Sequence, residues 1–228
     1  MSIFSKNFTA FFLNKFIGKQ KIMDNVFNDK ERWMQRYLTT GYFVETGWWN
    51  SFENRAPFDA DNNPIPWITY SAIEFLDTRL TDKLDLFEFG SGNSSLYYAK
   101  KVNTVASVEH DNLWYEEIKS KLPDNSEIFF EDIDTGNYVS FLKEKTNTYH
   151  IIIVDGRKRV ECIRNSTQAL TEDGVLILDD SQREEYKEVD DFLADLGFKK
   201  IKFWGIAPAY FRNKCTSVYY KPNNCLNI

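Results

Sequence analysis

The chain has 228 residues, 43% of them hydrophobic and 16% aromatic, which suits one α/β domain with a real core and excludes a disordered chain. A formal net charge of −6 argues against a nucleic-acid partner, because phosphate binding needs a basic field. No run of about 18 apolar residues occurs, so no transmembrane segment is expected, and Cys162, Cys215 and Cys225 lack metal-ligand spacing and read as reduced thiols of a cytoplasmic protein.

Residues 1–65 read as an N-terminal helical and aromatic extension, either a lid or an oligomerisation element, ahead of a ligand-binding domain over residues 66–228. Phe4, Phe8, Phe11, Phe12 and Leu13 share one helical face. That face suits packing on the domain or on the partner of a homodimer, or a peripheral membrane contact through residues 3–17. No small-residue cleavage site marks a signal peptide. Asp29–Leu38 has helical spacing, Thr40–Trp49 is aromatic and broken by glycines, and Asp59–Pro66 is a loop. Pro66 is expected to start a helix that runs through Leu76 and ends near Thr81 and Asp82.

From there strands and helices alternate. The strand candidates are Leu84–Phe89, Thr104–Glu109, Glu127–Phe130, Tyr149–Val154, Gly174–Leu178, Lys199–Trp204 and Thr216–Lys221. Helices are expected near Ser94–Lys101, Leu113–Leu122, Tyr138–Lys145, Val160–Leu170 and Gln182–Leu196. Wholly apolar strands such as Ile151–Val154 imply burial on both faces of a parallel sheet. The last two strands have no room for a helix between them, so they should form an antiparallel hairpin. The fold class is a seven-stranded, doubly wound α/β sheet, mostly parallel, with an antiparallel C-terminal strand and helices on both faces.

Such sheets bind ligands at the carboxyl ends of their strands. The first strand runs into Glu88-Phe89-Gly90-Ser91-Gly92, followed by a helix that Ser94 or Ser95 can cap. Gly90 allows the sharp turn and Gly92 leaves backbone bare for a ligand. The next strand ends in Glu109 and His110, the third in Glu131, Asp132 and Asp134, the fourth in Asp155, Arg157, Lys158 and Arg159, and the fifth in Asp179 and Asp180. Glu109 stands 19 residues after Gly90, where an acid can accept both hydroxyls of a ribose, and this serves NAD and S-adenosylmethionine alike. The glycine loop discriminates between them. A dinucleotide fingerprint wants Gly or Ala at its third position, where this chain has Ser95, and Glu88 would repel a pyrophosphate while welcoming a sulfonium and an α-amino group.

Glu88-Phe89-Gly90-Ser91-Gly92 followed by Glu109, with the closing hairpin around Phe203-Trp204-Gly205 and Cys215–Tyr220, resembles class I S-adenosylmethionine-dependent methyltransferases, with a Rossmann-like domain over roughly residues 66 to 221. The resemblance implies that Glu88, Gly90, Ser91 and Gly92 line the methionine end of the cofactor. It further implies that Glu109 holds the ribose, that His110 flanks the adenine and that Asp132, or Glu131 in a shifted register, sits near the adenine amino group. Asp155, Asp179 and Asp180 are similar to the metal-binding carboxylates of the catechol and macrocin types of O-methyltransferase, which implies Mg²⁺ or another divalent cation and makes Asp155, Asp180 and Arg157 the catalytic candidates. Arg157, Lys158 and Arg159 offer two alternatives, direct neutralisation of these acids or binding of an anionic acceptor such as a uronic acid or phosphorylated sugar. The implied activity is methyl transfer to an oxygen of a small molecule or a sugar or polysaccharide precursor lying under Trp48, Trp49 and Trp67. A non-catalytic adenosyl-binding scaffold and an NAD-dependent oxidoreductase are the rival readings.

Overall fold

The computed structural model describes residues 28–228, with the backbone alone at Gln35. The aromatic face expected over residues 3–17 lies outside the described residues. Seven strands form one sheet: β1 (Asp85–Phe89), β2 (Thr104–Glu109), β3 (Ser126–Phe130), β4 (Tyr149–Val154), β5 (Leu170–Leu178), β6 (Lys199–Gly205) and β7 (Lys214–Tyr220). Their order is β3-β2-β1-β4-β5-β7-β6. The first five are mutually parallel, while β7 runs antiparallel to both β5 and β6. The expected fold class is the observed one.

Nine helices of the described chain surround the sheet: α1 (Asp29–Thr39), α2 (Tyr42–Glu45), α3 (Trp48–Asn54), α4 (Tyr70–Asp77), α5 (Asn93–Ala99), α6 (Asn112–Lys119), α7 (Asn137–Ser140), α8 (Arg159–Arg164) and α9 (Lys187–Asp195). None is long and apolar enough to cross a membrane among the described residues. Helix α1 starts on a capping box, in which Asn28 accepts from the Glu31 amide and Glu31 from the Asn28 amide, each at 3.0 Å.

The pleat divides the core in two. Leu86, Val105, Ile151, Ile153, Val175 and Val218 point to one face, where they pack with Ala72 and Leu76 of α4 and Tyr97 and Tyr98 of α5. Phe87, Phe89, Ile152, Val154, Leu176 and Leu178 point to the other, against Tyr138, Leu142, Ile163, Val189 and Leu193. Neighbouring residues of β4 therefore serve opposite faces, which is why that strand is apolar throughout. Trp48 and Ile65, which precede the expected domain start, are buried in the first cluster.

Several helix boundaries differ from expectation. Pro66 does not start a helix; α4 begins only at Tyr70. The intervening stretch is tied to the closing hairpin instead. Thr69 N donates to Thr216 Oγ1 at 3.1 Å, Thr69 Oγ1 donates to Phe203 O at 3.1 Å, and Tyr70 N donates to Ile206 O at 3.1 Å. Tertiary hydrogen bonds thus override the local preference of proline for a helix start. The helix expected over Tyr138–Lys145 shortens to α7, and those expected over Val160–Leu170 and Gln182–Leu196 each divide into an α-helix and a 3₁₀ turn. Neither serine caps α5, whose N-cap is Gly92; Ser95 Oγ accepts from the Gly92 amide and donates to Glu88.

Candidate functional site

The chain runs outward from β1 through β2 to β3, then returns to place β4 on the other side of β1. The sheet's strand order therefore reverses between β1 and β4. At that reversal, beyond the carboxyl ends of the parallel strands, opens a cleft of about 820 Å³. It is lined by Glu88 and the loop from Gly90 to Ser94 after β1, by Glu109 to Asp111 after β2, by Asp155 to Arg157 and Arg159 after β4, and by Asp179, Asp180, Gln182 and Arg183 after β5. The antiparallel course of β7 brings its first residue, Lys214, to the same end.

The floor requires two glycines. Gly90 has φ of 92°, and a Cβ there would stand 3.3 Å from the backbone of Gly156. A Cβ on Gly156 would meet the Tyr138 hydroxyl at 1.9 Å, so no side chain fits between β4 and α7.

Two acids define one end of the cleft. Glu109, 4% exposed, is held rigidly: Oε2 accepts from the Ser91 amide at 3.1 Å and its hydroxyl at 3.3 Å, while Oε1 accepts from the amides of His110 and Asp111 at 2.7 and 2.9 Å. The His110 ring stands beside the same carboxylate, with Nδ1 2.8 Å from Oε1 but outside hydrogen-bond alignment. Asp111 caps α6 through the amides of Leu113 and Trp114, and the Trp114 indole donates to Ser91 O at 2.7 Å. Glu88 is 2% exposed and accepts from Ser95 Oγ at 2.7 Å. Among the described residues it has no cationic partner. Burial, with Glu109 nearby, raises its carboxyl to about 7 against the pull of Ser94 and Ser95.

Three aspartates stand at the other end, and each is matched by a cation. Asp155 pairs with Arg159 at 3.0 Å. Asp179, 1% exposed, accepts from Lys214 at 2.6 Å and from Thr216 Oγ1 at 2.7 Å. Asp180 faces Lys214 at 3.1 Å and pairs with Arg183. Arg159 also clamps the strand ends through their carbonyls, donating to Gly156 O at 3.0 Å, Asp155 O at 3.0 Å and Asp179 O at 2.5 Å. Burial and Asp179 raise the Asp155 carboxyl well above the ordinary carboxylate range, against the pull of Arg159 and Lys214. Burial alone would raise Asp180 too, but Lys214, Arg159 and Arg183 overcome it and hold that carboxyl low. Lys214 is desolvated, yet Asp179 and Asp155 keep its ammonium charged beyond the ordinary lysine range.

Comparison with solved structures places this architecture. The chain is similar to a precorrin-6y C5,15-methyltransferase from Geobacter metallireducens GS-15, with 16% identity and a TM-score of 0.52 over 66% of this chain and 87% of that one. It is also similar to a methyltransferase from Geobacter sulfurreducens, with 14% identity and a TM-score of 0.51 over 83% of this chain and 94% of that one. A third likeness is to an S-adenosylmethionine-dependent O-methyltransferase from Thermotoga maritima, with 15% identity and a TM-score of 0.50 over 66% of this chain and 64% of that one. The chain has the class I methyltransferase fold. No protein-family model matches the sequence, and no curated protein matches it significantly.

Within the methyltransferase fold, most of the residues singled out in the sequence meet in one cleft: Glu88, Gly90, Ser91, Gly92, Glu109, His110, Asp155, Arg157, Asp179 and Asp180. Asp132 is not among its lining residues; it is exposed and accepts from the Asp134 amide at 2.8 Å in a local turn. Trp67 lines the cleft and Tyr210 joins it, whereas Trp48 is buried and Trp49 stands outside. The expected metal centre is corrected by its charges. Asp155, Asp179 and Asp180 do not fit a divalent cation, because Arg159, Lys214 and Arg183 already meet their negative charge and occupy their oxygens. No group of three or more metal-ligating side chains is assembled among the described residues. Direct ion pairing, the alternative left open in the sequence, holds for Arg159 alone of the three cations named for it, and Lys214 and Arg183 supply the other partners. Lys158 takes no part: its Nζ donates to Ile133 O at 2.9 Å.

Lys214, Arg55, Arg183 and Arg212 are cleft residues that sequence reasoning missed. A signal existed for Lys214, since an antiparallel last strand starts where parallel strands end. Arg55 and Arg212 lie in loops without regular spacing and gave none. His150 accepts from the Asp85 amide at 3.0 Å and stands apart from the cleft.

Proposed function

We propose that the protein is an S-adenosylmethionine-dependent methyltransferase that methylates an oxygen of a small acceptor. The observation that carries this reading is Glu88, a buried carboxylate without a cationic partner among the described residues, standing with Glu109 around the bare Gly90–Gly92 loop. A buried acid left without a counter-charge is costly unless a ligand supplies one. The cradle suits a ligand that is cationic at one end and carries ribose hydroxyls at the other.

Bound there, S-adenosylmethionine supplies a methyl group made reactive by its sulfonium charge. Glu88 accepts hydrogen bonds from the α-amino end, and Glu109 turns from Ser91 Oγ to the ribose hydroxyls. His110 and Trp114 flank the adenine. The acceptor lies over Asp155 and Asp180, with Trp67 and Tyr210 as its apolar wall and Arg157 orienting it. Transfer is an in-line displacement, for which the protein supplies alignment and electrostatics. The acceptor hydroxyl gives its proton to Asp155, which stands at the end of β4 as a carboxylate paired with Arg159 at 3.0 Å. Asp180, held low by three cations, stays a carboxylate and fixes Lys214. No step requires a metal ion, because Lys214 and Arg159 already supply positive charge beside the acceptor.

Calorimetric titration of the protein with S-adenosylhomocysteine and NAD tests this reading. Saturable binding of S-adenosylhomocysteine is expected, weakened by about tenfold or more in Glu109→Ala, the loss of charge-assisted hydrogen bonds to a ligand. Binding of NAD in its place would overturn the proposal and leave the fold intact.

A further inference from the structure

Five of the chain's nine arginines, Arg55, Arg157, Arg159, Arg183 and Arg212, line this one cleft, in a protein of net charge −6. Two of them are committed. Arg159 and Arg183, together with Lys214, balance Asp155, Asp179 and Asp180 charge for charge. Arg55, Arg157 and Arg212 are left over: all three are exposed, and none has a carboxylate partner among the described residues.

These three come from separate loops, and their backbones are fixed. Arg55 closes α3 in the left-handed conformation, with φ of 53°. Arg157 lies three residues past the end of β4, beside Gly156, whose place against Tyr138 admits no side chain. Arg212 lies in the loop between β6 and β7, which two tryptophans pin: the Trp48 indole donates to Tyr210 O at 3.2 Å and the Trp67 indole to Pro208 O at 2.7 Å. Guanidinium groups on held loops, lining one cleft and without an ion-pair partner among the described residues, form a receptor for a planar or tetrahedral oxyanion.

We propose that Arg55, Arg157 and Arg212 form an anion-binding subsite that takes a phosphoryl group of the methyl acceptor, so that the substrate class is a small phosphorylated molecule. This rests on the methyltransferase reading for the word acceptor, but the subsite itself does not. Three guanidinium groups without an ion-pair partner match a phosphoryl dianion or a pyrophosphate better than a single carboxylate. A nucleic acid is disfavoured, since a long phosphate backbone needs a basic track and this protein carries a net charge of −6.

The test is calorimetry on the full chain with inorganic pyrophosphate as probe, run with and without saturating S-adenosylhomocysteine. Saturable pyrophosphate binding is expected in both, weakened by roughly tenfold or more in the double variant Arg55→Gln, Arg212→Gln, as loss of two charge-assisted contacts implies. The affinity for S-adenosylhomocysteine should stay within about twofold in that variant, which its melting temperature must match to the parent. Glucuronate should fail to displace pyrophosphate. Absence of pyrophosphate binding, binding indifferent to the arginine substitutions, displacement by glucuronate, or arginine-dependent binding of a single-stranded RNA oligonucleotide more tightly than pyrophosphate would each overturn the subsite. If S-adenosylhomocysteine alone fails to bind, the methyltransferase reading falls while the pyrophosphate titration still decides on the subsite.

Discussion

Glu88 links the chemistry of one side chain to the pH behaviour of the whole protein. Its carboxyl is raised to about 7 in the fold, above the ordinary 4.5, chiefly by burial. Below that pH it holds a proton, which a ligand ammonium must displace. The affinity for S-adenosylhomocysteine is therefore expected to rise with pH, by at most about tenfold per unit, and to level off above about 7. Glu88→Gln should flatten the profile and weaken binding; an unchanged profile in calorimetry at several pH values would refute the role. The same shift acts on stability with a definite sign. A raised acid favours the protonated fold, so its contribution is present at low pH and is lost between 4.5 and about 7. Glu88→Gln should accordingly melt higher than the parent at pH 8 while binding less ligand, a trade of stability for function. The residue was legible in the sequence, but only burial, a tertiary property, explains why it works as a receptor for positive charge.

At the scale of elements, the junction of β4, β5 and β7 decides how the acceptor end is built. Lys214 at the start of β7 donates to Asp179 at the end of β5, and Thr216 reaches the other oxygen of the same carboxylate. Thr216 also accepts from the Thr69 amide, so the segment before α4 joins the network. Lys214→Met removes one partner of a buried ion pair and leaves the buried Asp179 carboxylate short of charge. A loss of roughly 3–5 kcal/mol is expected in denaturant unfolding, the usual cost of breaking such a pair. Added Mg²⁺ should leave the parent's melting temperature unchanged, because the lysine already occupies the carboxylates. A clear rise of the melting temperature with Mg²⁺ in the parent would show instead that the aspartates take a metal. The three acids could be read from the sequence as a set. Their partner could not, because it lies 35 residues from Asp179 and meets it only through an antiparallel turn of the sheet.

For the whole molecule, the cleft depends on residues that precede the expected domain boundary at Pro66. Trp48 is wholly buried and packs with Ile65, Ile68 and Val218, and its ring lies against Phe43 and Phe211. Its indole nitrogen holds the loop that carries Arg212. We expect residues 41–65 to belong to the cooperative unit. Trp48→Ala should cost about 3–5 kcal/mol, as truncation of a buried tryptophan does. A chain starting at Pro66 should lose the sharp thermal transition of the parent, and a truncated chain that melts as the parent does would restore the boundary at Pro66.

The sequence by itself determined the seven strands, their sense and the carboxyl-end loops of β1, β2, β4 and β5. Apolar runs and glycine turns are local signals, and both were strong in this chain. It also determined that acids would gather at one end of the sheet, since parallel strands must all end on the same side. Tertiary structure alone decided how those acids are balanced. It assigned Asp155, Asp179 and Asp180 to Arg159, Lys214 and Arg183, moved Asp132 outside the cleft, and turned Pro66 from a helix start into a strap on the closing hairpin. The physical reason is that charge compensation and buried hydrogen bonds are settled between residues far apart in the chain, at distances that no local pattern of residues encodes.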